Sequence, residues 1–151
     1  MTKISGKHIL VLNGPNLNML GMREPEIYGS ETLDDIASLV TSHAENLGYA
    51  IDFRQSNIEG DLVDWIQQAQ AKMAAIILNA GAYTHTSIAL QDALQSVEIP
   101  VIEVHLSNIF KREKFRHHSY ISPVANGVIC GFGGHGYILA LEAVHNILSK
   151  Q

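Results

Sequence analysis

The chain has 151 residues, 46% hydrophobic and 17% charged, with one cysteine and a formal net charge of −5. A chain of this length buries roughly 70% of the surface it exposes when unfolded, so one domain over 1–151 with a core of its own is expected. The acidic balance argues against general nucleic-acid affinity, no apolar run reaches the roughly 18 residues of a bilayer span, no signal peptide is visible at Met1–Ser5, and the lone Cys130 allows no internal disulfide and suits a reducing cytoplasm.

The elements alternate. His8–Leu12 is a short apolar run, as in a strand buried on both faces. Thr32 is placed to cap a helix, with Asp35 three residues on. Leu33, Ile36, Ala37, Val40, Ala44 and Leu47 repeat at helical spacing, and Gly48 suits the stop. Ala50–Arg54 reads as a second strand, and Leu62, Trp65, Ile66, Ala69 and Met73 as a second helix. Ala74–Leu78 is a third strand. Leu90, Ala93, Leu94 and Val97 mark a third helix before Pro100, followed by strands at Val101–His105 and Gly127–Cys130. Tyr137, Leu141, Val144 and Leu148 mark the last helix.

Alternation of this kind implies a parallel sheet covered by helices on both faces, since each parallel connection needs a crossover. The expected class is α/β, a flavodoxin-like three-layer α/β/α fold with a five-stranded parallel sheet. The strand order 2-1-3-4-5 is taken by analogy. Two connections are long, Asn13–Glu31 and Leu106–Asn126, and long ordered loops in compact domains are often functional lids.

Ligands of open parallel sheets bind beyond the carboxyl ends of the strands. Those ends carry Asn13-Gly-Pro-Asn16, Gln55-Ser-Asn57, Asn79 through His85 to Ser87, Glu103-Val-His105-Leu-Ser107-Asn108 and Gly131-Phe-Gly-Gly-His-Gly136. Turn chemistry alone accounts for Asn13 and Gly14, less well for Asn16. One of Thr84, Thr86 and Ser87 is expected to cap the third helix. The glycine cluster superficially resembles a dinucleotide loop but lies at the chain's end without the acidic partner of that motif. Cys130 reads as a core residue. The eight histidines show no metal-binding spacing, and adjacent His117 and His118 diverge if the chain there is extended. His105 and Glu103, two apart, share one face of the fourth strand. A carboxylate beside a histidine fixes its tautomer, as a general acid needs, although a packed strand-end histidine fits the same pattern. Lys111, Arg112, Lys114 and Arg116 supply four of the ten basic side chains, either as a solvated loop or as a site for a small anion.

Seven segments together resemble the type II 3-dehydroquinate dehydratases, in order and over nearly the whole chain: Asn13-Gly-Pro-Asn-Leu-Asn18, Arg23-Glu-Pro-Glu-Ile-Tyr28-Gly29, Arg54-Gln-Ser-Asn57, Leu78-Asn-Ala-Gly81, Thr84-His-Thr-Ser87, Ile102-Glu-Val-His-Leu-Ser-Asn108 and Phe115-Arg-His-His-Ser-Tyr120. The resemblance implies a flavodoxin-like fold. It implies reversible anti elimination of water from 3-dehydroquinate to 3-dehydroshikimate, in the shikimate or quinate pathways, with neither metal nor Schiff base. It implies a dodecamer of four trimers.

By the same resemblance Tyr28 is the base, Arg23 the charge that activates it, and Asn16 the residue that holds the enolate oxygen through a water. His105 is the general acid and Glu103 its orienting partner. Asn79, His85 and Arg116 hold substrate hydroxyls; Leu106 and Ser107 cradle its carboxylate. Asp92 reaches in from a neighbouring subunit, and Arg112 meets a lid formed by Arg23 to Tyr28. Met22 stands where many relatives carry a basic residue, and Tyr83 occupies a variable position. Two rival readings are a flavin- or phosphate-binding module, against which Pro15 removes a backbone donor, and a metal hydrolase.

Overall fold

The computed structural model describes residues 7–22, 26 and 29–151. Five parallel strands, β1 (His8–Asn13), β2 (Ala50–Gln55), β3 (Ala75–Asn79), β4 (Val101–His105) and β5 (Gly127–Cys130), form one sheet in the order β2-β1-β3-β4-β5. The expected order therefore stands. Among the described residues four helices cover it: α1 (Leu33–Leu47), α2 (Glu59–Lys72), α3 (Ile88–Gln95) and α4 (His135–Ser149).

The sheet separates two apolar clusters, because successive side chains on a strand point to opposite faces. Ile9, Val11, Ala75, Ile77, Ile102 and Val104 pack on one side against Ile36, Val40 and Ala44 of α1 and Tyr137, Leu141 and Val144 of α4. Leu10, Leu12, Ile76, Leu78 and Val101 pack on the other against Leu62, Ile66 and Ala69 of α2 and Leu90, Ala93 and Leu94 of α3. The three inner strands are buried on both faces, which is why β1 and β3 read as apolar runs, while β4 buries Glu103 and His105 among its apolar residues.

The helix ends follow local rules. Thr32 Oγ1 accepts from Asp35 N at 3.1 Å while Asp35 Oδ2 accepts from Thr32 N at 3.0 Å, a reciprocal capping box. Gly48 closes α1 at φ 89°, in the left-handed region. Ser87 is the residue that caps α3, its hydroxyl accepting from Leu90 N at 2.9 Å. Met73 caps α2 rather than extending it, and Val97 lies past the end of α3.

Three sequence expectations need correction. Cys130 is only partly buried, because β5 is an edge strand with a single neighbour, and so it is no core residue. The third strand begins at Ala75 and ends at Asn79, one residue later than expected, since hydrogen bonding to β1 carries on to the Asn13–Asn79 pair. His117 ends a 3-10 turn (Lys114–His117) and is not extended.

The long connection after β4 is built from three 3-10 turns, Ile109–Lys111, Lys114–His117 and Ser122–Val124. Ile121 pins it down by burying completely in the α2/α3 cluster.

Candidate active site

The carboxyl ends of β1, β3 and β4 converge on a cleft of about 160 Å³. Its walls include Pro15, Asn16 and Met19 from the loop after β1, Asn79, Gly81 and His85 from β3 and its loop, and His105, Leu106, Ser107, Arg112 and Arg116 from β4 and beyond. Eight of the residues expected at the site thus share one cavity. Glu103 lies directly behind His105. Asp92 is exposed on α3 and does not line this cavity. Arg23 and Tyr28 lie outside the described residues, as do most positions of the expected lid.

Backbone contacts set the floor. Gly14 N donates to Asn79 O at 2.8 Å, tying the two loops together. A Cβ at position 14 would lie 2.2 Å from Ala80 O, so only glycine allows this approach. Beyond it the chain turns at Asn16, the one non-glycine residue with positive φ among those described, at 68°. Asparagine tolerates that region better than most side chains. Asn57 Oδ1 fixes the turn by accepting from Asn16 N at 3.0 Å, and Gln55 Nε2 donates to the same oxygen at 3.1 Å and to Gly14 O at 3.1 Å. Tyr83 donates its hydroxyl to Asn57 O at 2.7 Å.

Asn79 is held by a second network. Its Nδ2 donates to Tyr137 Oη at 2.9 Å, and Tyr137 donates onward to Asn13 Oδ1 at 2.6 Å. Asn13 Nδ2 reaches Arg54 O at 3.0 Å. Tyr137 is wholly buried, and burial drives its phenol well above the ordinary tyrosine range, eased only partly by Asn79. It is a neutral structural donor.

The His105–Glu103 pair is the most charged feature of the interior. Both side chains are buried, and His105 Nε2 lies 2.5 Å from Glu103 Oε2. Ser119 donates to Glu103 Oε2 at 2.9 Å and Ser122 to Oε1 at 2.5 Å. Burial pushes the carboxyl upward, but His105 and the two hydroxyls outweigh it, and Glu103 sits below the usual glutamate value. It therefore remains an anion with satisfied oxygens, which an isolated buried carboxylate could not.

His85 donates Nδ1–H to His118 O at 2.8 Å. Burial lowers its pKa, the carbonyl partly opposes this, and His105 and Arg116 lower it further. A neutral ring with its proton on Nδ1 offers Nε2 as an acceptor. Arg116 is oriented by Glu113 Oε1 at 2.9 Å, and Arg112 Nη1 lies 3.5 Å from Ser107 Oγ. Two of the four clustered basic residues thus serve the cleft, whereas Lys111 and Lys114 are exposed.

Ser119, Ser122, Asn57 and Tyr137 were not singled out from the sequence. Ser119 lies within the Phe115–Tyr120 segment, but its partner is sixteen residues away. Tyr137 lies at a helical core spacing that hides its hydroxyl's role. Among the described residues no three His, Cys, Asp or Glu side chains gather as a metal-ligand set, and no helix is long and apolar enough to cross a membrane. The glycine cluster turns into α4, with Gly131 and Gly133 at positive φ and their amides bonded to His105 O and Leu106 O.

The family model described as dehydroquinase class II matches residues 7–145. A 3-dehydroquinate dehydratase 2 of Pseudomonas aeruginosa is 63% identical over 134 residues, covering 89% of this chain and 90% of that one. A 3-dehydroquinate dehydratase of Rhizobium johnstonii is 60% identical over 139 residues, covering 92% and 96%. The crystal structure of a type II dehydroquinase from Propionibacterium acnes superposes with a TM-score of 0.90 at 46% identity, covering 93% of this chain and 97% of that one. With that sheet order, that cleft and matches of this extent, the chain belongs to the class II dehydroquinase family and is a hydro-lyase of the 3-dehydroquinate dehydratase kind.

Proposed function

We propose that the chain removes water from 3-dehydroquinate through an enolate, with Tyr28 as base and His105 as general acid. The buried His105–Glu103 pair opening onto a polar cleft is the observation that carries this reading. Loss of water from a β-hydroxy ketone needs a base beside the carbonyl, a stabiliser for the enolate oxygen and an acid for the departing hydroxyl. A free tyrosine ionises near pH 10, so a base working at pH 7 takes about 4 kcal/mol of differential stabilisation, the part given to Arg23. Asn16, at the rim of the cleft, is preorganised toward the enolate oxygen, where such donors act most strongly.

His105 gives its proton to the leaving hydroxyl while Glu103 stabilises the imidazolium. Arg116, Asn79 and neutral His85 take the substrate's remaining hydroxyls. The turn at Leu106 and Ser107, flanked by Arg112, takes its carboxylate. Neither metal nor imine enters this scheme. Asp92, exposed on α3, is free of its own cleft and suits a role across a trimer interface within a dodecamer of four trimers. The cytoplasm suits the free Cys130.

Ultraviolet detection of the conjugated enone product tests the reading. Wild type turns over 3-dehydroquinate with or without chelator, and borohydride with substrate leaves activity intact. Tyr28→Phe binds substrate yet gives no product. Product from Tyr28→Phe at the wild-type rate would remove tyrosine as base.

A further inference from the structure

We infer that Ser119 is a positioning residue whose hydroxyl, acting through Glu103, holds His105 as the Nε2–H tautomer, so that Nδ1 is the nitrogen exchanging protons with substrate. The inference rests on the proposed role of His105 as the acid and adds which atom performs it.

A serine oxygen has two lone pairs and one hydrogen to offer. Ser119 Oγ accepts from Ile121 N at 3.0 Å and from Ser122 N at 3.0 Å, which uses both lone pairs. Its hydrogen must then go to the remaining partner, Glu103 Oε2 at 2.9 Å. The serine cannot reverse direction, because two backbone amides face it. Ser119 and Ser122 donate to the two oxygens and help hold Glu103 ionised, so Oε2 carries no hydrogen and its contact with His105 Nε2 at 2.5 Å needs the hydrogen on the nitrogen. Ser122, donating to Oε1 at 2.5 Å, completes the shell of the carboxylate.

The chain of direction therefore runs from two amides of the loop after β4, through one hydroxyl, to one imidazole. With Nε2–H committed to Glu103, the imidazolium delivers its other proton, from Nδ1, to the departing hydroxyl. The carbon–oxygen bond breaks with its electron pair on oxygen, water leaves, and the ring returns to neutral Nε2–H. Glu103 stays ionised throughout and relays nothing. The charged and titratable groups facing the pair are His85 from the loop after β3 and Arg112 and Arg116 from the loop after β4, with Cys130 in register beside His105 on β5.

Two-bond 1H–15N spectra of the whole enzyme labelled at histidine read the tautomer directly, with His105→Asn assigning the signal. The neutral ring is expected to carry its proton on Nε2; a proton on Nδ1 overturns the inference. Ser119→Ala is expected to lower kcat about tenfold, a part of the roughly 10²–10⁴-fold that general acid catalysis contributes, with KM unchanged and the ring signal divided between tautomers. Ser119→Thr, which keeps the hydroxyl, restores both. Ser119→Ala with wild-type kcat and an undivided signal would also overturn it. If Ser119→Ala does not fold, the wild-type spectrum decides alone. His105→Ala turning over normally would remove the acid assignment itself, a failure separate from that of the tautomer.

Discussion

Asn57 holds Asn16 in a left-handed turn through one bond, its Oδ1 accepting from Asn16 N at 3.0 Å. The same oxygen serves Gln55, and the carbonyl of Asn57 serves Tyr83. Strand ends β1 and β2 and the loop after β3 thus meet on one exposed residue. Its side chain is a brace for the rim of the cleft.

Asn57→Ala should therefore lower kcat by roughly tenfold, since one lost bond to a strained turn is worth about 1–1.5 kcal/mol. Thermal stability should fall by a similar energy. Steady-state kinetics beside a melting curve checks this; a variant with unaltered kcat would show that Asn16 keeps its place without the brace.

Gly14→Ala should be far more damaging than its size suggests. The added methyl meets a backbone carbonyl, which cannot rotate away. Overpacking of this kind costs roughly 1–3 kcal/mol, and here it also parts the Gly14–Asn79 contact under the cleft. Denaturant unfolding and turnover should both register the change, whereas Gly60→Ala, in open space on α2, should register in neither by more than a few tenths of a kcal/mol.

Acid should weaken the fold through Glu103. Its folded pKa lies below the ordinary value of 4.5, so as pH falls through that value the unfolded chain takes up the proton first. The stabilisation is complete above 4.5 and is lost as pH drops toward the folded pKa. Asp52, held down first by its hydrogen bonds from Arg54, acts in the same direction. His85, lowered chiefly by burial, adds a loss that begins already below 6.5, because there the unfolded histidine binds the proton that the folded one refuses. Comparing midpoints of urea unfolding from pH 3 to 7 for wild type and Glu103→Gln isolates the carboxylate. The wild-type curve should fall more steeply below pH 4.5; parallel curves would contradict the assignment.

Thr84→Val should leave stability unchanged or raise it by about 1 kcal/mol. Thr84 Oγ1 is buried without a hydrogen-bond partner among the described residues, so the hydroxyl is desolvated without return. Valine has nearly the same shape. A loss of several degrees in Tm would reveal a partner for that oxygen.

Much of the fold could be read without coordinates. Apolar runs at 9–12 and 75–78 are what a strand buried on both faces requires, and helical spacing with a capping box at Thr32 and glycine at position 48 marks the first helix within a residue of its ends. The motifs at the strand ends likewise named the family, and Glu103 with His105 followed from the two-residue period of a strand. These features are local, written in neighbouring side chains.

Only the tertiary structure decided the rest, because it depends on residues far apart in sequence. Cys130 reads as core until the sheet order leaves β5 at an edge. Asn13, Asn79 and Tyr137 become one network although 124 residues separate Tyr137 from Asn13. Ser119 becomes a one-way donor only when a 3-10 turn aims two amides at its oxygen and folds it onto β4. Local periodicity fixes which residues point inward; which of them meet is set by how the layers close, and that is where the chemistry of this site is assembled.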